Sequence, residues 1–161
     1  MIRLIAAIDR KQGIAKQNVI PWHIPEDQAF FDSETKKHGG HVLTGGVTYR
    51  ITYGNKPLAD RQNYILTRET QPIKGAKVIN DLAAFLSEFN DKDLWVSGGA
   101  TVFHDLMGLG YGDELLITHV DADFGCDRFF PAYEKDFKLA EQGEPREQNG
   151  FHFTYSRYIR Q

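Results

Sequence analysis

The sequence predicts an α/β protein with a mainly parallel sheet that helices cover on both faces. Apolar runs of strand length alternate with helical segments along most of the chain, an order typical of parallel sheets. Residues 4–8 are continuously apolar, which favours a strand buried on both faces. Residues 137–160 alternate around a turn at residues 143–150, so antiparallel strands are expected to close the sheet at the C-terminal end.

In the first half of the chain, the helix that begins at Pro25 is the best defined element. Pro21 and Pro25 exclude a helix between them, whereas proline suits the first helical position. Glu26 and Asp27 then fall in the first turn, where the helix dipole favours acids. We expect this helix to run to residues 37–38, where Gly39-Gly40 ends it. Residues 12–18 are expected to form a loop, and the other elements are strands 4–8, 41–44 and 63–67 and a short helix 47–53.

In the second half, Asp81 is expected to cap an amphipathic helix. Leu82, Phe85, Leu86 and Phe89 lie at the spacing that places them on one helical face. The remaining predicted elements are strands 77–79, 94–97 and 114–121 and a helix from residue 100 through 107.

Composition limits the possible functions. The 161 residues favour a single domain over residues 1–161. With 19 basic and 22 acidic residues the net charge is −3, which gives no general reason to bind nucleic acid or an anionic membrane. Cys126 is the single cysteine, and no apolar run approaches the roughly 20 residues of a membrane span. We expect a cytoplasmic protein that acts as a monomer.

Two glycine pairs join an apolar strand to a helix. Gly45-Gly46-Val47-Thr48 and Gly98-Gly99-Ala100-Thr101 both have this arrangement. Helix N-terminal amides attract phosphate, and glycine permits close approach. Each pair alone is better explained as a tight strand-to-helix turn, but two of them in one small domain favour a ligand with several phosphates.

Asp27 is the candidate catalytic acid. Pro21-Trp22 and Ile24-Pro25 precede it, and Phe30 and Phe31 follow, so a carboxylate between such residues is suited to bind paired N–H groups of a heterocycle or to act with a shifted pKa. The alternative is an exposed first-turn acid. The six histidines and Asp121, Asp123 and Asp127 have no metal-site spacing, so no metal is expected, and Cys126 has no nucleophile signature.

Residues 18–27, Asn-Val-Ile-Pro-Trp-His-Ile-Pro-Glu-Asp, resemble the mobile loop and active-site helix of the dihydrofolate reductase family. The resemblance spans nearly the whole chain and continues through Gly45-x-x-Thr48, Pro57-Leu58-x-x-Arg61-x-Asn63, Gly98-Gly99, Thr118-His119-Val120-Asp121 and Phe130-Pro131. It implies an eight-stranded, mainly parallel sheet with four flanking helices. It also implies reduction of 7,8-dihydrofolate to 5,6,7,8-tetrahydrofolate with NADPH, and antifolates as inhibitors.

The resemblance also implies residue roles. Asp27 would bind the pterin N3–H and 2-amino group and help N5 take a proton, Thr118 would support Asp27, and Trp22 would hold an ordered water. Arg61 would bind the α-carboxylate of the glutamyl tail. The substrate would further contact Ile5, Ala6, Ile20, Gln28, Phe31 and Leu58. The cofactor would contact Ala7, Ile14, Gly45, Gly46, Val47, Thr48, Leu66, Thr67, Arg68, Gly98, Gly99, Ala100, Thr101, Val102 and Phe103, and the Gly98-Gly99 bond would be cis.

One departure concerns the cofactor. The family usually has arginine where this chain has Gly46, and that arginine contacts the adenosine phosphate. Thr67 and Arg68, with Arg50 one helical turn after Gly46, are the candidates to bind the 2′-phosphate, with a smaller preference for NADPH than usual. The alternative is that both arginines are solvated surface residues.

The sequence argues against two other functions. A riboflavin-pathway reductase shares the fold but lacks the Pro-Trp-x-x-Pro-x-Asp segment that includes Asp27. A non-catalytic nucleotide- or folate-binding protein is disfavoured because Asp27, Trp22 and Arg61 are all present.

Overall fold

The computed structural model describes residues 1–89 and 91–161. They form eleven strands and four helices. The strands are β1 Ile2–Ile8, β2 Gly13–Ala15, β3 His41–Gly45, β4 Gln62–Leu66, β5 Ala76–Ile79, β6 Leu94–Val96, β7 Glu114–Val120, β8 Arg128–Phe129, β9 Phe137–Gln142, β10 Arg146–Gln148 and β11 Phe151–Arg160. The helices are α1 Pro25–Thr35, α2 Gly46–Ile51, α3 Leu82–Ser87 and α4 Ala100–Gly108. None of these helices is long and apolar enough to cross a membrane.

The central sheet is mainly parallel, as the sequence predicts. Its strand order is β10-β11-β7-β1-β6-β3-β4-β5, and β9 also pairs with β11. All pairings from β7 through β1, β6, β3 and β4 to β5 are parallel. The long strand β11 runs antiparallel to β7, and its other edge pairs first with β10 and then with β9. The sheet is therefore eight positions wide, with β9 and β10 sharing the last position.

Helices cover both faces, because successive strand residues alternate between two apolar layers. One layer joins Leu4, Leu43 and Leu115 to Phe85 and Leu86 of α3 and to Val102, Phe103 and Leu106 of α4. The other joins Ile5, Val42, Trp95 and Leu116 to Phe30 and Phe31 of α1. The N-terminal cap of α3 is also confirmed, since Asp81 accepts a hydrogen bond from the Ala84 N–H.

Several predicted boundaries are wrong. The helix predicted over 47–53 ends at Ile51, α3 ends at Ser87 so that Phe89 lies beyond it, and the turn predicted over 143–150 contains strand β10. Helix α1 ends at Thr35 rather than at residues 37–38, because His38, Gly39 and Gly40 all have positive φ and turn the chain toward β3. Residues 12–18 are not entirely a loop, since β2 forms a small antiparallel ribbon with β8. Neither β2 nor β8 is a continuous apolar run or long enough to show a periodicity in the sequence.

The topology brings the strand-to-helix loops to one edge of the sheet. Strands β1, β3, β4 and β6 are parallel, so their carboxyl ends meet there, and α2 and α4 begin at that edge. Ligands of open α/β sheets bind at this edge.

Candidate active site

A cavity of about 680 Å³ lies at the carboxyl ends of the strands. Its walls come from the end of β1, the β2 loop, the first turns of α2 and α4, and the segment after β4. Most of the predicted cofactor residues line it: Ala7, Ile14, Gly45, Gly46, Val47, Thr48, Leu66, Thr67, Arg68, Gly99, Ala100, Thr101, Val102 and Phe103, together with Ala6 and Ile20 from the predicted substrate set.

The two Gly-Gly turns pack directly on each other at the floor of this cavity. The Gly45 N–H donates to the Gly98 carbonyl over 2.7 Å, and the Gly98-Gly99 peptide bond is cis, as the resemblance implies. A Cβ at Gly99 would stand 2.9 Å from Thr48 Oγ1, and one at Gly45 would stand 2.8 Å from Val102 Cγ2. Glycine is therefore required by close packing. Within the described residues no side chain caps the first turn of α2 or α4, so the amides of α4 remain available to a phosphate.

The structure brings Gly46, Arg50 and Thr67 together at one end of the cavity. A Cβ at Gly46 would lie 3.4 Å from Arg50 Nη1 and 3.3 Å from Thr67 Cβ. Arg50 thus reaches back along α2 into the space that a side chain at position 46 would fill. Arg68 also lines the cavity and is exposed.

Sequence reasoning missed two residues of this region. Asn80 donates from Nδ2 to the carbonyls of Thr67 and Glu69, over 2.7 and 2.9 Å, and so fixes the segment that carries Arg68. Arg128 reaches the cavity from β8 because it pairs with Ala15 of β2. The positions of Asn80 and Arg128 depend on contacts between distant parts of the chain. No local sequence motif predicts them.

Asp27 and Thr118 form the predicted pair. The Thr118 hydroxyl donates to Asp27 Oδ1 over 2.6 Å. Burial raises the pKa of Asp27 above its ordinary value, the Thr118 hydrogen bond opposes that shift, and the nearby Glu26 adds to it. Thr118 lies opposite Ala7 in the β1–β7 pairing, and Ala7 lines the cavity. The carboxylate therefore stands one strand from the cavity wall.

Apolar and aromatic groups surround this pair. Trp22 is buried with Ile24 and Phe153 in a cluster that Ala7 and Phe124 also contact. Tyr155, opposite Thr118 on β11, stacks on Phe30 with ring centroids 4.2 Å apart. Its hydroxyl is buried and makes no hydrogen bond within the described residues. Sequence reasoning assigned Tyr155 no role.

The predicted substrate residues fall into a packed apolar group and an exposed pair. Ile5 is buried in the apolar layer against which Phe31 and Leu58 pack, and these three form a continuous wall beside α1. Ile20 is 44% exposed at the cavity mouth. Gln28 is exposed on α1, and its Nε2 lies 3.4 Å from His23 Nδ1.

Arg61 is nearly covered, with 3% of its side chain exposed. Its Nη2 donates to Asp32 Oδ1 over 2.6 Å, its Nη1 to Thr35 Oγ1 over 2.9 Å, and its Nε to the Ala59 carbonyl over 2.8 Å. The guanidinium is held rigidly beside α1, at the end of the wall formed by Phe31 and Leu58.

The acidic cluster and the cysteine have structural partners. Asp121 pairs with Arg10, and Asp123 with Lys11, while Asp127 accepts from the Gln17 N–H. Burial and the neighbouring Asp9 raise the pKa of the Cys126 thiol to about 11. The thiol is therefore protonated at neutral pH, and a nucleophilic role is disfavoured.

Comparison with known proteins agrees with this geometry. The family model described as dihydrofolate reductase matches residues 1–160. The dihydrofolate reductase of Bacillus subtilis is 32% identical over 98% of this chain and 94% of its own length. That of Neisseria meningitidis serogroup B is 34% identical over 99% of this chain and 98% of its own length.

A solved structure gives the same result for the fold. The dihydrofolate reductase from Enterococcus faecalis, complexed with NADP(H) and RAB-propyl, superimposes with a TM-score of 0.86. It is 26% identical in sequence, and the match covers 99% of this chain and 96% of that one.

Proposed function

The chain belongs to the dihydrofolate reductase family, and from that premise we propose that the cavity and the Asp27–Thr118 pair together form its active site. Family membership gives the reaction, which is the NADPH-dependent reduction of 7,8-dihydrofolate to 5,6,7,8-tetrahydrofolate. The residue assignment is supported above all by one observation. The half-buried Asp27, held by Thr118, stands one strand from Ala7 and the cavity.

The residues of the cavity fit NADPH. The close-packed glycines at 45 and 99 and the free first-turn amides of α4 form a cradle suited to a pyrophosphate. Arg50 and Arg68 supply positive charge beside Gly46 and Thr67, where it suits the 2′-phosphate, and Arg128 supplies it elsewhere on the wall. Ala6, Ala7 and Ile14 form an apolar end suited to a nicotinamide ring. When bound, NADPH supplies the hydride for the reduction.

Asp27 would bind and orient the pterin. Its carboxylate would accept hydrogen bonds from the pterin N3–H and 2-amino group, which selects one face of the ring. Because Asp27 is partly removed from water, its negative charge would stabilise positive charge on the pterin more strongly than an exposed acid would. The site would thereby help N5 take a proton from solvent. The Thr118 hydroxyl keeps the carboxylate in this orientation.

The remaining residues would position the substrate and exclude water. Ile5, Phe31 and Leu58 form an apolar wall suited to the pterin edge and the benzoyl ring. Trp22 and Ile20 lie on the segment between β2 and α1, where they would help to cover the ring. Arg61 would bind the α-carboxylate of the glutamyl tail through its planar fork.

We further propose that the enzyme acts as a cytoplasmic monomer that antifolates inhibit. The apolar wall of Ile5, Phe31 and Leu58 suits a planar heterocycle, and the Asp27 carboxylate suits its paired N–H groups. The single Cys126 agrees with a reducing compartment.

The test of the function is NADPH oxidation by the purified protein with and without dihydrofolate. We expect rapid loss of NADPH absorbance that requires dihydrofolate, with tetrahydrofolate formed in equal amount. Asp27→Asn provides the matched control, because it keeps the shape of the site but removes the charge. NADPH oxidation that does not depend on dihydrofolate would contradict the proposed function.

A further inference from the structure

Arg61, the proposed anchor for the substrate tail, already holds a carboxylate of this chain. The contact joins Arg61 Nη2 to Asp32 Oδ1 over 2.6 Å, the length of a strong charge-assisted hydrogen bond. Thr35 and Ala59 accept from two further nitrogens of the guanidinium. Only two of the five N–H groups of an arginine then remain without an assigned acceptor. With 3% of the Arg61 side chain exposed, an incoming carboxylate meets Asp32 first.

Asp32 has a second partner that would receive it if it left Arg61. Its Oδ2 accepts from Lys36 Nζ over 3.0 Å, four residues later at the C-terminal cap of α1. Both cations lower the pKa of Asp32, Lys36 through its hydrogen bond first, so this acid is ionised at neutral pH. Asp32 is also 49% exposed, which leaves its side chain room to rotate toward solvent and Lys36.

We propose that Asp32 is a specificity-determining residue that occupies the place of the tail carboxylate on Arg61. The inference rests on the proposed function, because it takes Arg61 as the anchor for the glutamyl α-carboxylate. Two carboxylates cannot share this guanidinium without repulsion, so the substrate has to displace Asp32 toward Lys36. The enzyme then gains less binding from the glutamyl group than Arg61 alone would give. Pteridines that lack the glutamyl group therefore bind less weakly, relative to dihydrofolate, than they would if Asp32 did not occupy Arg61.

The test compares two ligands that differ only in the glutamyl group. Dissociation constants of dihydrofolate and of dihydropteroyl amide, in which a neutral primary carboxamide ends the benzoyl ring, are measured by quenching of tryptophan fluorescence in wild type and Asp32→Asn. We expect Asp32→Asn to increase the ratio of the dihydropteroyl amide constant to the dihydrofolate constant about fivefold to tenfold. The constant for dihydropteroyl amide itself should not change, since that ligand carries no carboxylate to compete with Asp32 for Arg61.

Glu34→Gln is the matched control for net charge. Glu34 is also an acid of α1, but it pairs with Lys37 and makes no contact with Arg61 in the described structure. The ratio in Glu34→Gln should equal that of wild type. An increase as large as that of Asp32→Asn would show a general charge effect and would overturn the role of Asp32.

Arg61→Lys separates failure of this inference from failure of the proposed anchor. Lysine keeps the positive charge at position 61, so the variant can fold even if the fold needs a cation there. It lacks the planar guanidinium that binds a carboxylate through two hydrogen bonds. An unchanged ratio in Arg61→Lys would mean that Arg61 does not bind the tail, and both assignments would fall. A lowered ratio in Arg61→Lys, together with an unchanged or lowered ratio in Asp32→Asn, would overturn the Asp32 proposal alone. In that case Arg61 would remain the anchor. A lowered ratio in Asp32→Asn would mean that Asp32 orients Arg61 for the tail carboxylate.

Discussion

At the scale of single residues, the role proposed for Asp27 comes with a cost in stability. Burial raises the pKa of its carboxyl more than the Thr118 hydrogen bond lowers it. Protonation of Asp27 is therefore more favourable in the folded chain than in the unfolded chain. A group with a raised folded-state pKa stabilises the protein fully below its unfolded pKa, and this contribution is lost as the pH rises through the folded pKa. At neutral pH, therefore, the charge at Asp27 opposes folding.

Asp27→Asn should consequently be more stable than wild type at pH 7. We expect a higher Tm for the variant, because the neutral amide does not carry the buried charge. The difference should shrink as the pH falls toward the ordinary pKa of aspartate, because wild-type Asp27 then becomes neutral too. Thermal denaturation of both proteins across this pH range tests the prediction. A variant less stable than wild type at pH 7 would show that the carboxylate stabilises the fold.

At the scale of elements, the first turn of α2 shows how a neighbouring residue can replace a missing one. Position 46 is glycine where the family usually has arginine, yet Arg50 Nη1 lies 3.4 Å from the place of a Cβ at that position. Residues four apart share a helical face, so a cation at position 50 can serve the same part of the cavity. Asn80 holds the segment that carries Arg68, a second arginine that lines the cavity.

We predict that Arg50 and Arg68 carry the preference for NADPH over NADH. Loss of one charge-assisted phosphate contact costs about 1.5–3 kcal/mol, so Arg50→Ala or Arg68→Ala should lower the ratio of kcat/KM for NADPH to that for NADH roughly 10- to 100-fold. Gly46→Arg should raise the ratio, most clearly in the Arg50→Ala background, where Arg50 no longer occupies the space.

Arg128→Ala is the control for these variants. Arg128 also lines the cavity but lies on the β2–β8 ribbon, so its loss should leave the ratio unchanged. If Arg50→Ala and Arg68→Ala both kept the wild-type ratio, the two arginines would be solvated surface residues, and another group would have to select the 2′-phosphate.

At the scale of the whole molecule, the sequence predicts the sheet well because buried parallel strands and helix starts leave local signals. The apolar runs at β1 and β7, the proline at the first position of α1 and the Asp81 cap of α3 are examples. The β2–β8 ribbon joins segments more than a hundred residues apart through only five residues, so nothing local announces it. The same reason hides the Asp32–Arg61 pair, which forms only when α1 meets the segment before β4.

The prediction of the candidate site from the sequence has two sources, the chemistry of the residues and the family resemblance. The two Gly-Gly turns predict a phosphate cradle from the residues alone, and the cavity at these turns agrees. Asp27 is ambiguous from the residues alone, since a first-turn acid is common on exposed helices. The resemblance makes Thr118 its partner, and the 2.6 Å hydrogen bond confirms that contact. The roles of both residues in turnover stay predictions.

The central claim is that the charge of Asp27 promotes protonation of the pterin during reduction by NADPH. The most direct test is the rate of dihydrofolate reduction by Asp27→Asn, compared with wild type between about pH 5 and pH 7, where N5 is protonated increasingly toward low pH. We predict a loss of about 10²- to 10⁴-fold at pH 7, the usual contribution of acid–base catalysis, with partial recovery at pH 5 as solvent protonates the substrate. Turnover of Asp27→Asn at the wild-type rate at pH 7 would contradict the claim.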